Sequence, residues 1–551
     1  MIKYVVSLLL AASISSISAL GQSTCGNDGP NNPSCPGGGN SPADSSSSCP
    51  TCKSPDCQVG VNPIDPYRAN LHRNVQDITT FGAAPIAFSR FYYSRTTDFN
   101  DPYWQLGYKQ TWQYNWDYEM RQLSTKTYGY FDIKVRYPDG NDYNFHATDT
   151  SGTQLAPAAD NGDRLYRWAG SIVGYTLISP TGREYDFKRY SSPKFALLEE
   201  RDGQGLYWDC SYDSSWRLIQ ITNCFGRYLQ VTYENGSDGV SRIASVVTSD
   251  GRTVTYNYST WASTGHFVLS NVNYPGGESA AYTYVTADPS DSAARPLLQT
   301  ASDPTYLGSG SQMKYVYNYN AVFDYGSGPY LVTGTILEEH NLLTNQLIVS
   351  LPYGGGPNPT IVNGDSGNPA FSYANGLEAS QTDAAGRESD YTRDSDGYGY
   401  ISSKTEVGSG AVTTYTRDYA GRILSQTDAL SHTQSYTYNS KGFILTATDE
   451  NGHEITFTRD TNSWLTRKDY PDGTYESWTY NIYGQPLTHL RRNGGTEQYT
   501  YYAIGDTGGI IGDLKTLTDP MGNVTTYLYT ASGLIASIKD GRNNITAYTY
   551  N

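Results

Sequence analysis

The sequence has few charged residues and lacks the short motifs that mark common enzymes. Only 17% of its 551 residues are Asp, Glu, Lys or Arg, and the net charge is −16. Without a cluster of Lys or Arg, this balance argues against a nucleic acid partner. A Gly-x-Ser-x-Gly elbow, a P-loop and a dinucleotide fingerprint are missing, and the seven histidines lack HxxxH and HExxH spacing. We therefore expect no catalytic residue, cofactor or metal, and we predict that the histidines lie on the surface or on strand faces.

Long apolar runs are also missing beyond the N-terminus. Residues 1–21 combine a short basic start, the apolar stretch Tyr4–Ala12 and small residues before Gln22. The apolar stretch is too short to span a bilayer, so the pattern predicts a cleaved signal peptide. We expect the mature chain to be secreted, periplasmic or on the cell surface, with no transmembrane span.

Cysteine is scarce and unevenly placed. Residues 22–60 are rich in Ser, Pro and Gly and are predicted to form a tether. This tether contains Cys25, Cys35, Cys49, Cys52 and Cys57, and the other two cysteines are Cys210 and Cys224. The tether has one CxxC with metal-ligand spacing. Because an exported chain favours disulfides over zinc, we expect all seven cysteines to be candidates for disulfide bonds. Because seven is odd, one thiol stays free or pairs between chains.

Aromatic and turn residues recur every 21 positions in the C-terminal part of the chain. The aromatic series is Tyr415, Tyr436, Phe457, Trp478 and Tyr499. One turn series is Gly421, Gly442, Gly484 and Gly505, with Ser463 at the missing step; a second is Gly452, Gly473 and Gly494, preceded by Ser431. A fixed period indicates one small unit used repeatedly. It argues against an enzyme, because a catalytic constellation occurs once.

One unit is predicted to be a β-hairpin. Between Tyr436 and Phe457, two runs rich in Tyr, Thr and Ile alternate with turn signals at 439–442 and 449–452. In such turns Asn or Asp caps the turn through its side chain, and Gly takes a positive φ. The unit resumes seven residues out of phase after residues 505–509, where Asn543 replaces Gly522 at a tolerant position.

Two features of the repeats admit a functional or a structural interpretation. The rings could form a binding ladder for glycans or pack in a core, and Phe457 and Trp478 favour packing because they keep the ring and lose the phenol. The repeated carboxylates could serve acid–base catalysis or cap turns. Capping is favoured because each starts a turn; these residues are Asp428, Asp449, Asp519 and Asp540.

The repeats resemble a known family. Tyr415-Thr-Arg-Asp418-Tyr-Ala-Gly421-Arg422, followed by Asp428 and Tyr436-Thr-Tyr438, is similar to the YD repeat of Rhs-type proteins, teneurins and insecticidal toxin-complex components. Asp383–Arg387 and Tyr391–Asp394 fit the same pattern. Upstream, Asn62–Asp65, Pro85–Arg95 and the aromatic residues Trp112, Trp116 and Tyr118 resemble the β-domain that precedes the repeats in bacterial Rhs proteins.

The resemblance implies an all-β fold with an N-terminal β-domain and repeats that spiral into a hollow β-shell, often around a C-terminal toxin released by self-cleavage. This chain has no aspartyl self-cleavage pair and stops at Asn551 inside a repeat. We therefore expect a partial shell, truncated before the core and toxin region. Its expected partner is the missing shell or toxin segment, or a partner protein.

The predicted organisation has six parts: a signal peptide (1–21), a tether (22–60), an N-terminal β-domain (61–200), irregular YD-like repeats (201–345), a loop-rich break (346–376) and regular repeats (377–551). The first functional hypothesis is a non-enzymatic exported scaffold or shell for toxin delivery or cell contact. The alternative is an extracellular carbohydrate-binding or adhesion protein that uses exposed aromatics. A glycoside hydrolase is disfavoured, because no unique acidic pair stands out.

Overall fold

In the computed structural model every described element is a β-strand, and neighbouring strands pair antiparallel. The described residues are 64–65, 70–94, 105–108, 111–138, 142–157, 162–261, 264–288, 291–304, 312–318, 321–324, 329–332, 335–343, 347–350, 362–363, 370–374, 377–383, 386–394 and 400–550. The predicted signal peptide, the tether and its five cysteines lie outside these ranges. The all-β fold class predicted from the sequence is confirmed.

The first sheet has four strands in chain order: β1 (Ile64–Asp65), β2 (Asn70–Thr79), β3 (Ala87–Tyr93) and β4 (Trp112–Tyr114). The second sheet begins with β5 (Glu119–Thr127), β6 (Tyr130–Arg136), β7 (Asp142–Ala147), β8 (Gln154–Pro157), β9 (Arg164–Arg167), β10 (Gly174–Ile178), β11 (Glu184–Ser191), β12 (Lys194–Arg201), β13 (Tyr207–Tyr212), β14 (Leu218–Asn223), β15 (Tyr228–Asn235) and β16 (Ser241–Thr248). It continues with β17 (Thr253–Thr260), β18 (Phe267–Asn273), β19 (Ser279–Asp288), β20 (Asp291–Ser302), β21 (Gln312–Asn318), β24 (Thr335–Asn341), β25 (Leu347–Ser350) and β26 (Val362–Asn363). A separate hairpin consists of β22 (Ala321–Asp324) and β23 (Pro329–Val332).

The second sheet closes on itself at β12. Lys194 and Phe195 of this strand pair with β5, whereas its residues 199–201 pair with β13. The strands β5 to β12 therefore form a ring, and the sheet continues outward from β13. The predicted boundary between residues 200 and 201 falls inside β12, because the same ladder crosses it.

The third sheet has 17 strands in chain order. They are β27 (Ala370–Ala374), β28 (Leu377–Thr382), β29 (Glu388–Arg393), β30 (Ile401–Glu406), β31 (Ala411–Arg417), β32 (Ile423–Thr427), β33 (Thr433–Tyr438), β34 (Ile444–Thr448), β35 (Glu454–Arg459), β36 (Leu465–Asp469), β37 (Tyr475–Tyr480), β38 (Pro486–Leu490), β39 (Thr496–Tyr501), β40 (Leu514–Thr518), β41 (Val524–Tyr529), β42 (Ile535–Lys539) and β43 (Ile545–Ala547). From β32 to β39 each pair of strands repeats after 21 residues, so one unit is one hairpin, as the sequence predicts. The shift by seven residues falls in the connection from β39 to β40.

The first and second sheets share one hydrophobic core. At its centre a fully buried ion pair joins Arg90 Nε to Asp77 Oδ2 at 2.5 Å. Asp77 also accepts hydrogen bonds from the phenols of Tyr256 at 2.8 Å and Tyr274 at 3.0 Å. Because a buried charge needs such partners, this network ties β2 and β3 to strands of the second sheet that follow residue 250.

The aromatic series of the third sheet faces a packed side of that sheet. Phe457, Trp478 and Tyr499 are buried, and Tyr436 packs against the cluster that contains the first two. Along each strand, side chains point alternately to the packed side and to solvent, as in β39, where exposed and buried residues alternate. Burial of the rings supports the packing interpretation of the ladder.

In most units a second tyrosine makes a contact that the sequence does not reveal, whereas Arg417 and Arg459 occupy the equivalent position in two units of the third sheet. The phenol of this tyrosine donates to the backbone carbonyl of the residue 15 positions earlier. In the third sheet these bonds are Tyr438–Ile423 (2.8 Å), Tyr480–Leu465 (2.6 Å), Tyr501–Pro486 (2.8 Å), Tyr529–Leu514 (2.9 Å) and Tyr550–Ile535 (2.7 Å). In the second sheet they are Tyr212–Leu197, Tyr233–Leu218, Tyr258–Ile243 and Tyr284–Leu269. Both sheets are therefore built from the same hairpin.

We predict that the two tyrosines of one strand respond differently to loss of the hydroxyl. Tyr438→Phe should lower the free energy of unfolding by about 1 kcal/mol, because the carbonyl of Ile423 loses its phenol donor. Tyr436→Phe should cost clearly less, since its phenol donates to the side chain of Gln434, at 3.1 Å, rather than to a backbone carbonyl. Urea unfolding of the two variants tests this difference, and equal losses would contradict the assigned contact.

Candidate functional site

The third sheet carries a row of tight turns along each of its two long sides. We call the turns at 418–421, 439–442, 460–463 and 481–484 the docked row. The turns at 428–431, 449–452, 470–473, 491–494, 519–522 and 540–543 form the free row. Successive strands run in opposite directions, so all turns of one row lie on the same side of the sheet.

Most turns in both rows share one local design. In the docked row, Asn439 Oδ1 accepts the backbone N–H groups of Lys441 at 3.0 Å and Phe443 at 2.9 Å. The N–H of Gly442 donates to the carbonyl of Asn439 at 3.0 Å. In the other turns of this design, a side-chain oxygen likewise accepts the backbone N–H groups of the residues two and four positions later. The accepting residues are Asp418, Asp428, Asp449, Asp460, Asn481, Asp519 and Asp540. The repeated carboxylates therefore cap turns, as the sequence favours.

The last position of each turn has a positive φ. The value is 91° at Gly442 and 81° at Gly452, and the non-glycine substitutes adopt it as well, with 67° at Ser431, 72° at Ser463 and 70° at Asn543. This conformation is unfavourable for most L-residues, and Asn is among those that adopt it more readily. Both glycine series of the sequence thus mark left-handed turn positions.

The docked row packs against turns of the second sheet. A Cβ at Gly442 would lie 2.4 Å from the carbonyl oxygen of Pro180, and one at Gly484 would lie 2.6 Å from that of Gln204. Tyr483 in the same turn packs on Phe225 with 5.1 Å between ring centroids. By contrast, no described heavy atom lies within 4 Å of a Cβ built at Gly452, Gly473 or Gly494 in the free row.

A buried ion pair anchors this contact between the sheets. Arg227 Nη2 lies 2.6 Å from Asp513 Oδ1, and the two side chains are 4% and 2% exposed. Asp513 Oδ1 also accepts the N–H of Ala83 at 3.1 Å, and Arg227 Nη1 donates to the carbonyl of Ala83 at 2.9 Å. Burial raises the pKa of Asp513, and Arg227 opposes that shift. Residues of all three parts of the fold therefore meet at one point.

Further contacts extend along the same line. Arg164 lies over the ring of Tyr419 at 4.6 Å and donates to its carbonyl. Lys441 Nζ is 3.2 Å from Glu184 Oε1, and Trp464 Nε1 donates to the carbonyl of Gln204. We call this line of contacts the seam. It holds the third sheet against the second, and we regard it as the candidate functional surface.

The structure places two of the cysteines and one histidine singled out in the sequence. Cys210 and Cys224 are free cysteines in the described part of the chain, and the involvement of the seven cysteines in disulfides stays a prediction, because the five of the tether lie outside the described residues. Cys210 pairs with Ile221 in the ladder, whereas the N–H of Cys224 bonds to the carbonyl of Tyr207, three residues away from Cys210 along its strand. His489, expected on the surface or on a strand face, lies on a strand face but is buried.

Four rings of the aromatic ladder, those of Tyr436, Phe457, Trp478 and Tyr499, pack in hydrophobic clusters of the third sheet. In the described part of the chain, no group of three or more His, Cys, Asp or Glu residues is arranged to bind a metal ion. Within the same ranges, no helix has the length and apolar character needed to cross a membrane. The seam has no signal in the sequence, because Arg227 and Asp513 are 286 positions apart.

Comparison with known proteins identifies the repeats. Residues 417–454 match the family model described as RHS Repeat. This segment therefore matches an RHS repeat, in agreement with its resemblance to the YD pattern. No curated protein matches the chain.

Structural comparison matches several solved structures at low sequence identity. A TcdB2-TccC3-Cdc42 crystal structure is 10% identical over 85% of this chain and 25% of that chain, with a TM-score of 0.36. The Tc holotoxin pore of Photorhabdus luminescens is 11% identical over 86% of this chain and 29% of that chain, with a TM-score of 0.30. The N-terminal domain of the effector SpvB from Salmonella typhimurium is 12% identical over 66% of this chain and 100% of that chain, with a TM-score of 0.13. The chain spans about a quarter of the length of the first two.

We predict that the two glycine series tolerate alanine differently. Gly452→Ala should cost about 1–2 kcal/mol, the strain of a left-handed L-residue. Gly442→Ala should cost about 1–3 kcal/mol more, because its methyl group would meet the carbonyl of Pro180 and push the seam apart. Urea unfolding and protease accessibility of both variants test this. Equal losses of stability would show that the docked row makes no close contact.

Proposed function

We propose that the chain is a non-enzymatic scaffold of an exported Rhs-type system, in which the seamed sheets form part of the wall of a shell used in toxin delivery or cell contact. The observation that carries this proposal is the seam. Rows of turns stacked on rows of turns close a curved surface, and the buried pair of Arg227 and Asp513 stabilises it. The RHS repeat match at 417–454 supports the scaffold role.

The chemistry of the repeats favours a structural role over catalysis. The carboxylates that recur in the turns accept capping hydrogen bonds. The backbone N–H of His432 donates to Asp428, and that of His453 donates to Asp449. These bonds lower the pKa of both carboxylates. Such carboxylates are tied to the backbone and serve poorly as proton donors. The proposed partner is therefore a polypeptide, either a further shell or toxin segment or a separate protein.

Export is part of the proposal. It depends on the signal peptide predicted at residues 1–21, which lies outside the described ranges. An extracellular or periplasmic shell would place the wall where a toxin or a target cell can be reached. The alternative of a glycan-binding adhesin would instead require exposed aromatic side chains away from the packed ladder.

The protein isolated from the producing cells tests this function. If it forms a wall, a co-purifying polypeptide should resist protease while the seam is intact. Asp513→Asn leaves Arg227 buried without a counter-charge, which costs about 3–5 kcal/mol, and should expose that polypeptide. Asp506→Asn is the matched control, because Asp506 is in the same connection but forms a partly exposed pair with Lys515.

Opposite results would point to the alternative. Specific binding of the isolated protein to an immobilised glycan, with no protected polypeptide and no effect of Asp513→Asn on that binding, would favour adhesion. A protected polypeptide whose cleavage does not change in Asp513→Asn would contradict the role of the seam in closing the wall.

A further inference from the structure

One row of cross-strand pairs in the third sheet changes its chemistry from unit to unit. The four pairs occupy equivalent positions 21 residues apart and face the same side as the aromatic ladder. They are Gln426–Gln434, Ala447–Ile455, Lys468–Glu476 and His489–Glu497. Two units are thus neutral and the next two are ionisable, although the surrounding hairpins are alike.

His489 lies at the centre of the ionisable part. It is 6% exposed, and its ring stacks on Trp478 with 4.7 Å between centroids and 11° between planes. Its Nε2 is 3.0 Å from Glu476 Oε2, and its Nδ1 is 3.4 Å from Glu497 Oε2. One imidazole on β38 therefore lies between a carboxylate of β37 and a carboxylate of β39.

Other groups complete the network around the two glutamates. Tyr470 donates its phenol to Glu476 Oε1 at 2.7 Å, and Lys468 stands opposite Glu476 in the ladder. Glu497 accepts Arg491 Nη2 at 2.5 Å and the phenol of Tyr499 at 2.8 Å. Arg492 lies over the ring of Tyr470 and pairs with Asp472 at the edge. Each carboxylate keeps a donor of its own, so the imidazole is the group shared between them.

A neutral imidazole has one N–H and one lone pair, whereas an imidazolium has two N–H groups. Nε2 of His489 is within hydrogen-bond distance of Glu476, and Nδ1 is within ion-pair distance of Glu497, so only the protonated ring directs an N–H toward each carboxylate. We propose that His489 is a proton-dependent tie across β37, β38 and β39, closed when the ring is protonated and open on one side when the proton leaves. When the proton leaves, one ring nitrogen of His489 presents a lone pair to a carboxylate oxygen, and the two groups repel each other.

This tie acts on the hairpin that reaches the seam. β37 and β38 flank the turn 481–484, whose Tyr483 packs on Phe225 of the second sheet. Opening the tie should therefore loosen this hairpin first, with the units around β33 to β35 unaffected, since they carry Ala447 and Ile455 at the same positions. The proposal does not depend on which partner the scaffold serves.

Hydrogen exchange of the full chain, followed by mass spectrometry at pH 5.5 and pH 8.0 and corrected for intrinsic rates, tests the tie. These values bracket the range in which imidazoles titrate, near about 6.5. Residues 475–501 should lose about tenfold in protection at the higher pH relative to residues 433–459. His489→Phe keeps an aromatic ring on Trp478 and should abolish this difference.

The matched control is His453→Phe. His453 contacts Asp449 at 3.0 Å, but its side chain is 62% exposed, so its variant should keep the full pH difference. If His489→Phe does not fold, Glu476→Gln decides, because it removes one charged partner and should shrink the difference. Equal protection of both segments at the two pH values, or a pH difference that persists in the folded His489 or Glu476 variant, would overturn the proposal.

Discussion

The left-handed residue that ends each turn is the constraint on which the rest of this structure depends. It allows the chain to reverse within four residues while the first residue of the turn caps the backbone N–H groups with its own side chain. Because the reversals from β32 to β39 have the same length, each of these strands begins at the same phase of the next unit. Aromatic rings then fall on one face, and turns fall in two straight rows along the sheet.

The docked row holds the third sheet against the second, whereas the free row makes no such contact at its glycines. In the docked row the turn residue needs both a positive φ and an empty Cβ position, since backbone of the second sheet lies against Gly442 and Gly484. In the free row only the φ is constrained, which accounts for Ser431 and Asn543 there. Ser463 is the exception in the docked row, and at that step Gly203 and Gly205 of the second sheet lie beside the neighbouring Phe443 and Trp464. At each of these contacts a glycine makes room for the opposite sheet, either in the docked row or in the second sheet.

The parts of the fold that could be predicted from the sequence are those set by neighbours along the chain. The hairpin unit, its period, the Asp and Asn caps and the positive φ at Gly452 all follow from residue types a few positions apart. The phenol of Tyr438 could not be assigned, because its acceptor is a backbone carbonyl and any residue type supplies one. The seam could not be predicted from the sequence for a different reason. The pair of Arg227 and Asp513 joins distant segments, and the division of the strands into separate sheets depends on such contacts.

Small-angle X-ray scattering of the purified chain tests most directly whether stacked turns curl the sheets into a wall. The 17 strands of the third sheet alone would span about 80 Å if laid flat at the usual strand spacing. We expect the main part of the distance distribution to match the seamed arrangement, with the third sheet folded back on the second, and only the tether predicted at residues 22–60 to add a weak tail. A main distribution as long as a ribbon whose sheets lie end to end would contradict this arrangement.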